Sequence, residues 1–265
     1  MITKDTIDSY IDRLPPLPQK LKMTLSLLDG GDLVKSAKIA QSDLALNAYL
    51  KKLVNKSIYG FRNEISNVSQ IFGILGVSGS QQSVYNYIIN LLSPEKWVLF
   101  SLNKNSFNNL QAELSANWQT ILKHLGIQNK EIESAIALLP ASIIISEALF
   151  SEHLNDIRLL RSAHEIDYNT ILQRLTGMDL FDICVAIAHK WEMSEEIVQI
   201  IQAASGTHEI EDTQVGQLAQ WMHLLLFFTL SKEEFVKADL NDFIEFQIDF
   251  VSDIYEEFIE VMGVQ

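Results

Sequence analysis

Apolar residues return every three or four positions along nearly the whole chain, and alternating runs are scarce, a period that predicts an all-α fold. Start and stop residues cut this pattern into helices. Asp43 is placed to cap a helix carrying Leu46, Tyr49, Leu50 and Leu53 on one face. The stretch from Asn55 to Glu64, with Asn55, Ser57, Gly60 and Asn63, predicts a loop. Ser66 is the expected cap of the next helix, which holds Val68, Ile71, Phe72 and Leu75 and should end at a left-handed Gly76. Further helices are expected around 107–125, 128–139, 141–150, 168–176, 179–190, 194–205 and 211–229, with Gly126, Gly177 and Gly206 as punctuation. A last helix near 241–262 sets Phe243, Ile248, Val251, Ile254 and Phe258 against acids that include Asp242, Glu245 and Glu260.

Two prolines refine this picture. In ALLPASIII, residues 137–145, Pro140 lacks the amide donor and clashes with the carbonyl one turn earlier, so one helix should stop near Leu139 and another begin at Pro140. Ser93-Pro94-Glu95 predicts a helix cap with proline in the first turn, and a boundary between an N-terminal helical lobe, 1–92, and a second helical lobe, 93–265.

The 265 residues, 48% apolar and 20% charged, suffice for one large domain or two lobes with a substantial core. The greasiest segment, Trp221 to Leu230, is short and contains His223, so no uninterrupted apolar run is expected to span a membrane. The opening MITKDTIDSY carries charge where a leader would be apolar. Both readings predict a cytoplasmic protein without membrane insertion. Cys184, the single cysteine, has apolar neighbours and is expected to be a small buried side chain.

Charge excludes one class of partner. A net −14 argues against nucleic acid, which needs a basic footprint. The distribution is uneven, with ten Lys/Arg against six Asp/Glu over residues 1–62 and two against ten over residues 231–265.

The search for chemistry returns little. The six histidines, His124, His153, His164, His189, His208 and His223, show no helical pair three or four apart, the spacing a metal site would need. Gly73, Gly76 and Gly79 lack the spacing and the Lys-Ser/Thr ending of a phosphate loop, and no GxSxG elbow occurs. Glu195-Glu196 and Glu256-Glu257 point in different directions on a helix and suit solvated faces. No cofactor is expected.

The N-terminal lobe holds four motifs in register: LPPLP at 14–18, IAQSD at 39–43 followed by LAL, NKSIYG at 55–60, and ISNV at 65–68 running to Leu75-Gly76. In order, spacing and residue type they resemble the HDOD family, the HD-related output domains of bacterial signalling proteins. Leu44 departs from the family, which usually has proline there. The resemblance implies an N-terminal helical bundle packed on a degenerate HD-like helical lobe. It also implies that AIALLPASI, 135–143, is the segment where HD-type phosphohydrolases carry their metal-binding His-Asp pair, with Pro140 and Ala141 in those two positions. Leu180 stands where another ligand histidine would be, and Ile200 to Ala204 cover a later one. Proline, alanine and leucine have no metal-binding side chain. In the family-motif loop, Asn55, Ser57, Tyr59 and Gly60 are open to two readings, turn and capping chemistry or ligand contact.

The expectation is therefore a non-catalytic regulatory protein acting through a protein partner, in a sensor-kinase or cyclic-dinucleotide pathway. A pseudo-enzyme holding a nucleotide in the old cleft and a phosphohydrolase with rewired ligands are the alternatives. Candidate partner surfaces are Lys51, Lys52 and Lys56 in the basic lobe and Glu256, Glu257 and Glu260 near the acidic end, the latter meeting a basic partner or a second copy of the chain as a homodimer.

Overall fold

The structure is a computed structural model that describes the chain except residues 1, 15, 57–60, 165, 208–211, 242 and 264–265, with the backbone alone described at 130, 131 and 164. The described residues are all-α, 73% helical with no strand. The first five helices are α1 (Lys4–Arg13), α2 (Gln19–Asp29), α3 (Leu33–Ser42), α4 (Leu44–Val54) and α5 (Val68–Leu91), of which α2 to α5 pack together as the N-terminal bundle. The rest comprises α6 (Lys104–His124), α7 (Lys130–Ala135), a 3₁₀ turn (Ile136–Leu138), α8 (Leu139–Ser151), α9 (Leu154–His164), α10 (Tyr168–Thr176), α11 (Leu180–Lys190), α12 (Glu195–Ala203), α13 (Thr213–Leu230), α14 (Glu233–Val236), α15 (Ile248–Val251) and α16 (Tyr255–Met262).

Short polar side chains start these helices as their chemistry demands. The Asp43 carboxylate accepts from the N–H groups of Ala45 and Leu46, so α4 begins at Leu44 without the family's proline. For α5 the cap is Asn67 rather than Ser66. Its Oδ1 accepts from Ser69 and Gln70. Gly76 does adopt positive φ, 68°, and breaks the helix there as expected; a second helical half resumes directly after the kink and runs to Leu91. The resumed half is worth extending because it buries Gln82, Val84, Asn86, Ile88 and Ile89.

Two other expectations fail for tertiary reasons. No helix follows Ser93-Pro94-Glu95; α6 starts only at the Asn103 capping box. The N–H groups of Val98, Leu99 and Phe100 go instead to the Glu147 carboxylate, so they are unavailable to a helical ladder. The helix expected at 241–262 is two pieces, α15 and α16, separated at 252–254. Side-chain bonds hold its start: Gln220 donates to Phe250 O, and the Gln247 N–H to a ring nitrogen of His223.

α5 is the hub of the bundle, with α2, α3 and α4 around it, and its far half packs on α7 and the 3₁₀ turn. In the second lobe α8, α11 and α12 form a layered core closed by α13 and α6. The buried apolar side chains are one continuous set from Ile2 to Phe258. Pro140 lies in the first turn of α8, where its missing donor costs nothing, so Ile132–Ser151 runs almost unbroken. That stretch, interrupted by Glu133 and Glu147, is long and apolar enough by composition to cross a membrane, yet 89% of an eighteen-residue portion of it is buried inside the protein. It behaves as a core helix.

Candidate functional site

The segments that the resemblance singles out converge. α8 packs on α11, α11 on α12, and the 3₁₀ turn lies against them. Pro140 is buried, and Ala141 and Leu180 have no exposed surface. One turn beyond Leu180, the Cys184 thiol donates to Leu138 O at 3.4 Å, and Ser142 Oγ donates to Leu139 O at 2.7 Å, so the polar groups at the junction are satisfied within it. Burial pushes the Cys184 thiol up to about 12, which keeps it protonated and inert. Asp179 is committed to capping α11 through the N–H groups of Phe181 and Asp182. The later segment is filled by Ile200, Ile201, Ala203 and Ala204. Among the described residues no group of three His, Cys, Asp or Glu could hold a metal ion.

One histidine is buried beside α11. His223 is 1% exposed, its Nδ1–H donates to Ala204 O at 2.9 Å, and Nε2 accepts the Gln247 N–H at 3.2 Å. Phe181, Phe246 and Phe250 surround the ring. Phe250 can approach because Gly206, at φ 72°, has no Cβ; one would meet the Phe250 ring at 2.9 Å. Burial lowers the His223 pKa below its ordinary value, opposed in part by the bond to Ala204. Because the folded state resists the proton that the unfolded chain accepts near pH 6.5, the stabilisation is complete above that pH and declines below it. Wild-type protein should therefore lose more of its melting temperature than His223→Gln between about pH 7.5 and about pH 5.5. Parallel melting curves for the two proteins would contradict this.

In the family-motif loop, Asn55 ties the two ends together. Its Nδ2 donates to Lys51 O at 2.8 Å and Ile65 O at 2.9 Å, and its Oδ1 accepts the Ile65 N–H at 2.9 Å. This is the capping role weighed from the sequence, with all three amide bonds made to backbone. Ser57, Tyr59 and Gly60 lie outside the described residues.

The charged candidates are dispersed. Lys52 Nζ donates to Asn105 Oδ1 at 2.7 Å and Lys56 Nζ to Asn109 Oδ1 at 3.0 Å, so Lys52 from α4 and Lys56 from the chain just after it both reach the first half of α6. Desolvation, then the charge of Lys52, lowers the Lys56 pKa to about 8. Lys51 stands apart from these contacts. Glu257 accepts from His124 at the other end of α6, at 2.7 Å, whereas Glu256 and Glu260 are exposed. The two surfaces are thus on the order of 25 Å apart along α6.

Glu147 escaped the sequence reading. Buried at 2% exposure on α8, it accepts from three successive amides, Val98 at 2.5 Å, Leu99 at 3.0 Å and Phe100 at 2.9 Å, forming an internal anion nest. The available signal was its being the only charged residue between 134 and 151. A carboxylate in so apolar a run has to be paired if it is buried.

Comparison with known proteins agrees with this geometry. No curated protein matches the chain. An HDOD domain protein of unknown function from Geobacter sulfurreducens has a similar structure, with 16% identity, TM-score 0.66, and 98% of this chain and 95% of that one covered. A protein from Shewanella amazonensis described as a candidate phosphohydrolase gives 18% identity, TM-score 0.63, and 97% coverage of both chains. A candidate signal transduction protein from Marinobacter aquaeolei gives 17% identity and TM-score 0.63, covering 99% of this chain and 60% of that one. These likenesses establish a shared helical fold. The sequence profile of the HDOD domain matches residues 14–206, which takes in the family-motif loop and the junction of α8, α11 and α12; the chain belongs to the HDOD domain family.

Proposed function

We propose that the protein is a non-catalytic regulator in a bacterial signalling pathway, working in the cytoplasm by contact with a protein partner. The observation that carries the reading is the α8–α11–α12 junction. Pro140, Ala141 and Leu180 occupy its positions of interest, all three are buried, none has a metal-binding side chain, and among the described residues no group of three His, Cys, Asp or Glu could hold an ion. Hydrolysis of a phosphoester by an HD-type site needs an activated water, and a closed apolar junction has nothing to activate one. The description of the Marinobacter protein supports a signalling role, and that of the Shewanella protein names the competing activity.

Partner contact falls to the surface. A sensor kinase or a component of a cyclic-dinucleotide pathway fits the family's setting, and a second copy of this chain is the alternative occupant. Lys51, Glu256 and Glu260 are the members of the two charged surfaces whose side chains make no hydrogen bond or ion pair among the described residues, whereas changing Lys52, Lys56 or Glu257 would also disturb α6. The chemistry is tested directly: purified protein given manganese, iron or zinc should turn over neither nucleotides nor cyclic dinucleotides. Metal-dependent turnover that survives a change of purification route would overturn the proposal.

A further inference from the structure

A groove of about 1,020 Å³ lies away from the α8–α11–α12 junction, between α9, α10, the end of α13 and the chain following α14. None of Pro140, Ala141 or Leu180 lines it. Three of the chain's five arginines do: Arg158 and Arg161 from α9, and Arg174 from α10. Such a concentration is unexpected by composition in a chain of net charge −14.

One of the three is firmly held. Arg161, 19% exposed, places Nη1 against both oxygens of Asp239, at 3.2 and 3.0 Å, and against Tyr168 Oη at 3.0 Å, while its guanidinium stacks 4.2 Å from the Tyr168 ring centre. Tyr168 in turn donates to Asp239 at 2.6 Å. Asp239 does this from φ 65°, the left-handed region that favours glycine, so a carboxylate stands where backbone comfort alone would choose otherwise.

The acids of the groove are largely committed. Asp239 is neutralised by Arg161, and Asp167 accepts from the N–H and the hydroxyl of Thr170. Among the described lining residues this leaves the exposed guanidinium groups of Arg158 and Arg174, on neighbouring helices, against the exposed carboxylate of Glu245. The floor is different in character: Ile166, Phe227, Val236 and Ile244 supply an apolar wall. Size, an apolar wall and a few converging charged groups are the ordinary properties of a small-molecule site.

We propose that this groove binds a small phosphate-bearing molecule with an aromatic or apolar portion. Arg158 and Arg174 hold the phosphate by charge-assisted hydrogen bonds, the remainder lies on Phe227 and Ile244, and the Arg161–Tyr168–Asp239 group keeps α9, α10 and the chain after α14 in register around it. The site goes beyond the partner reading and stands whether or not that reading holds, since the ligand would act as the signal for any partner.

The test is calorimetric titration of the full chain with AMP and with inorganic phosphate. AMP should bind saturably with Kd below about 1 mM, and phosphate at least about tenfold more weakly because it cannot use the apolar wall. In the double variant Arg158→Gln, Arg174→Gln, AMP affinity should fall at least about tenfold, while Arg13→Gln, outside the groove, should bind as wild type. Both arginines are exposed, so melting curves should confirm that the double variant is folded. No saturable AMP binding, AMP bound no better than phosphate, or undiminished affinity in the folded double variant would each overturn the proposal.

Discussion

Replacing Glu147 with alanine is expected to destabilise the protein by on the order of 3–5 kcal/mol, lowering the melting temperature by roughly 10 °C. Its carboxylate is the only partner shown for the N–H groups of Val98, Leu99 and Phe100, and it is 2% exposed. Removing it leaves buried or half-buried donors unpaired, at about 1–3 kcal/mol each, and frees the segment that leads into α6. Glu147→Gln should be milder. It keeps one acceptor oxygen but turns an amide NH₂ toward groups that are themselves donors. Thermal melts of the two variants decide the matter, and a melting temperature for Glu147→Ala within about 2 °C of wild type would show that the nest contributes nothing.

The second large effect concerns the junction itself. Ala141→Asp introduces an acid at a position with no exposed surface. A charged carboxylate buried there loses its hydration, so a loss of on the order of 3–5 kcal/mol is expected at neutral pH. The sign of the pH dependence is specific. Burial raises the folded-state pKa of the introduced acid, so its penalty relative to wild type is smallest below the unfolded value near 3.9 and grows as pH rises. Melting temperatures of the variant and wild type should therefore draw together toward about pH 4 and separate toward about pH 7.5. A variant as stable as wild type at neutral pH, or one stabilised by added manganese, would mean that the junction is open to water or to a metal.

Local chemistry explains which parts of this fold were legible in the sequence. Asp43 and Asp179 precede apolar periodic runs and do cap α4 and α11. Gly126, Gly177 and Gly206 all have positive φ where helices were expected to stop. Ser66 and Asn67 are both competent caps, and nothing local distinguishes them; the structure uses Asn67. Gly76 ends the first half of α5 as expected, and the second half that resumes directly beyond the kink is held by its buried side chains, an effect of packing that no window of residues contains. The irregular chain after Ser93 and the division between α15 and α16 are likewise decided by partners far away in sequence. Glu147 reaches amides 47 to 49 residues distant, and Asp239 meets Tyr168 and Arg161 across 71 and 78 residues. Periodicity carries no record of such pairs.

The same distinction holds for the site. Pro140, Ala141 and Leu180 could be placed by resemblance because they lie in recognisable local segments, and the structure brings those segments together. Lys52 and Lys56 read as a free basic patch because their partners, Asn105 and Asn109, are uncharged residues of another helix. The arginine groove was invisible for a related reason: Arg158, Arg161 and Arg174 look like ordinary solvated charges until α9 and α10 are set side by side.

The central claim is that the junction of α8, α11 and α12 holds no metal and so performs no hydrolysis. Its most direct test is a crystal of the protein soaked in manganese, with the anomalous difference map examined around Pro140, Ala141 and Leu180. We expect no peak within coordinating distance of that junction. A well-occupied manganese peak there, with ligands drawn from α8, α11 or α12, would contradict the account.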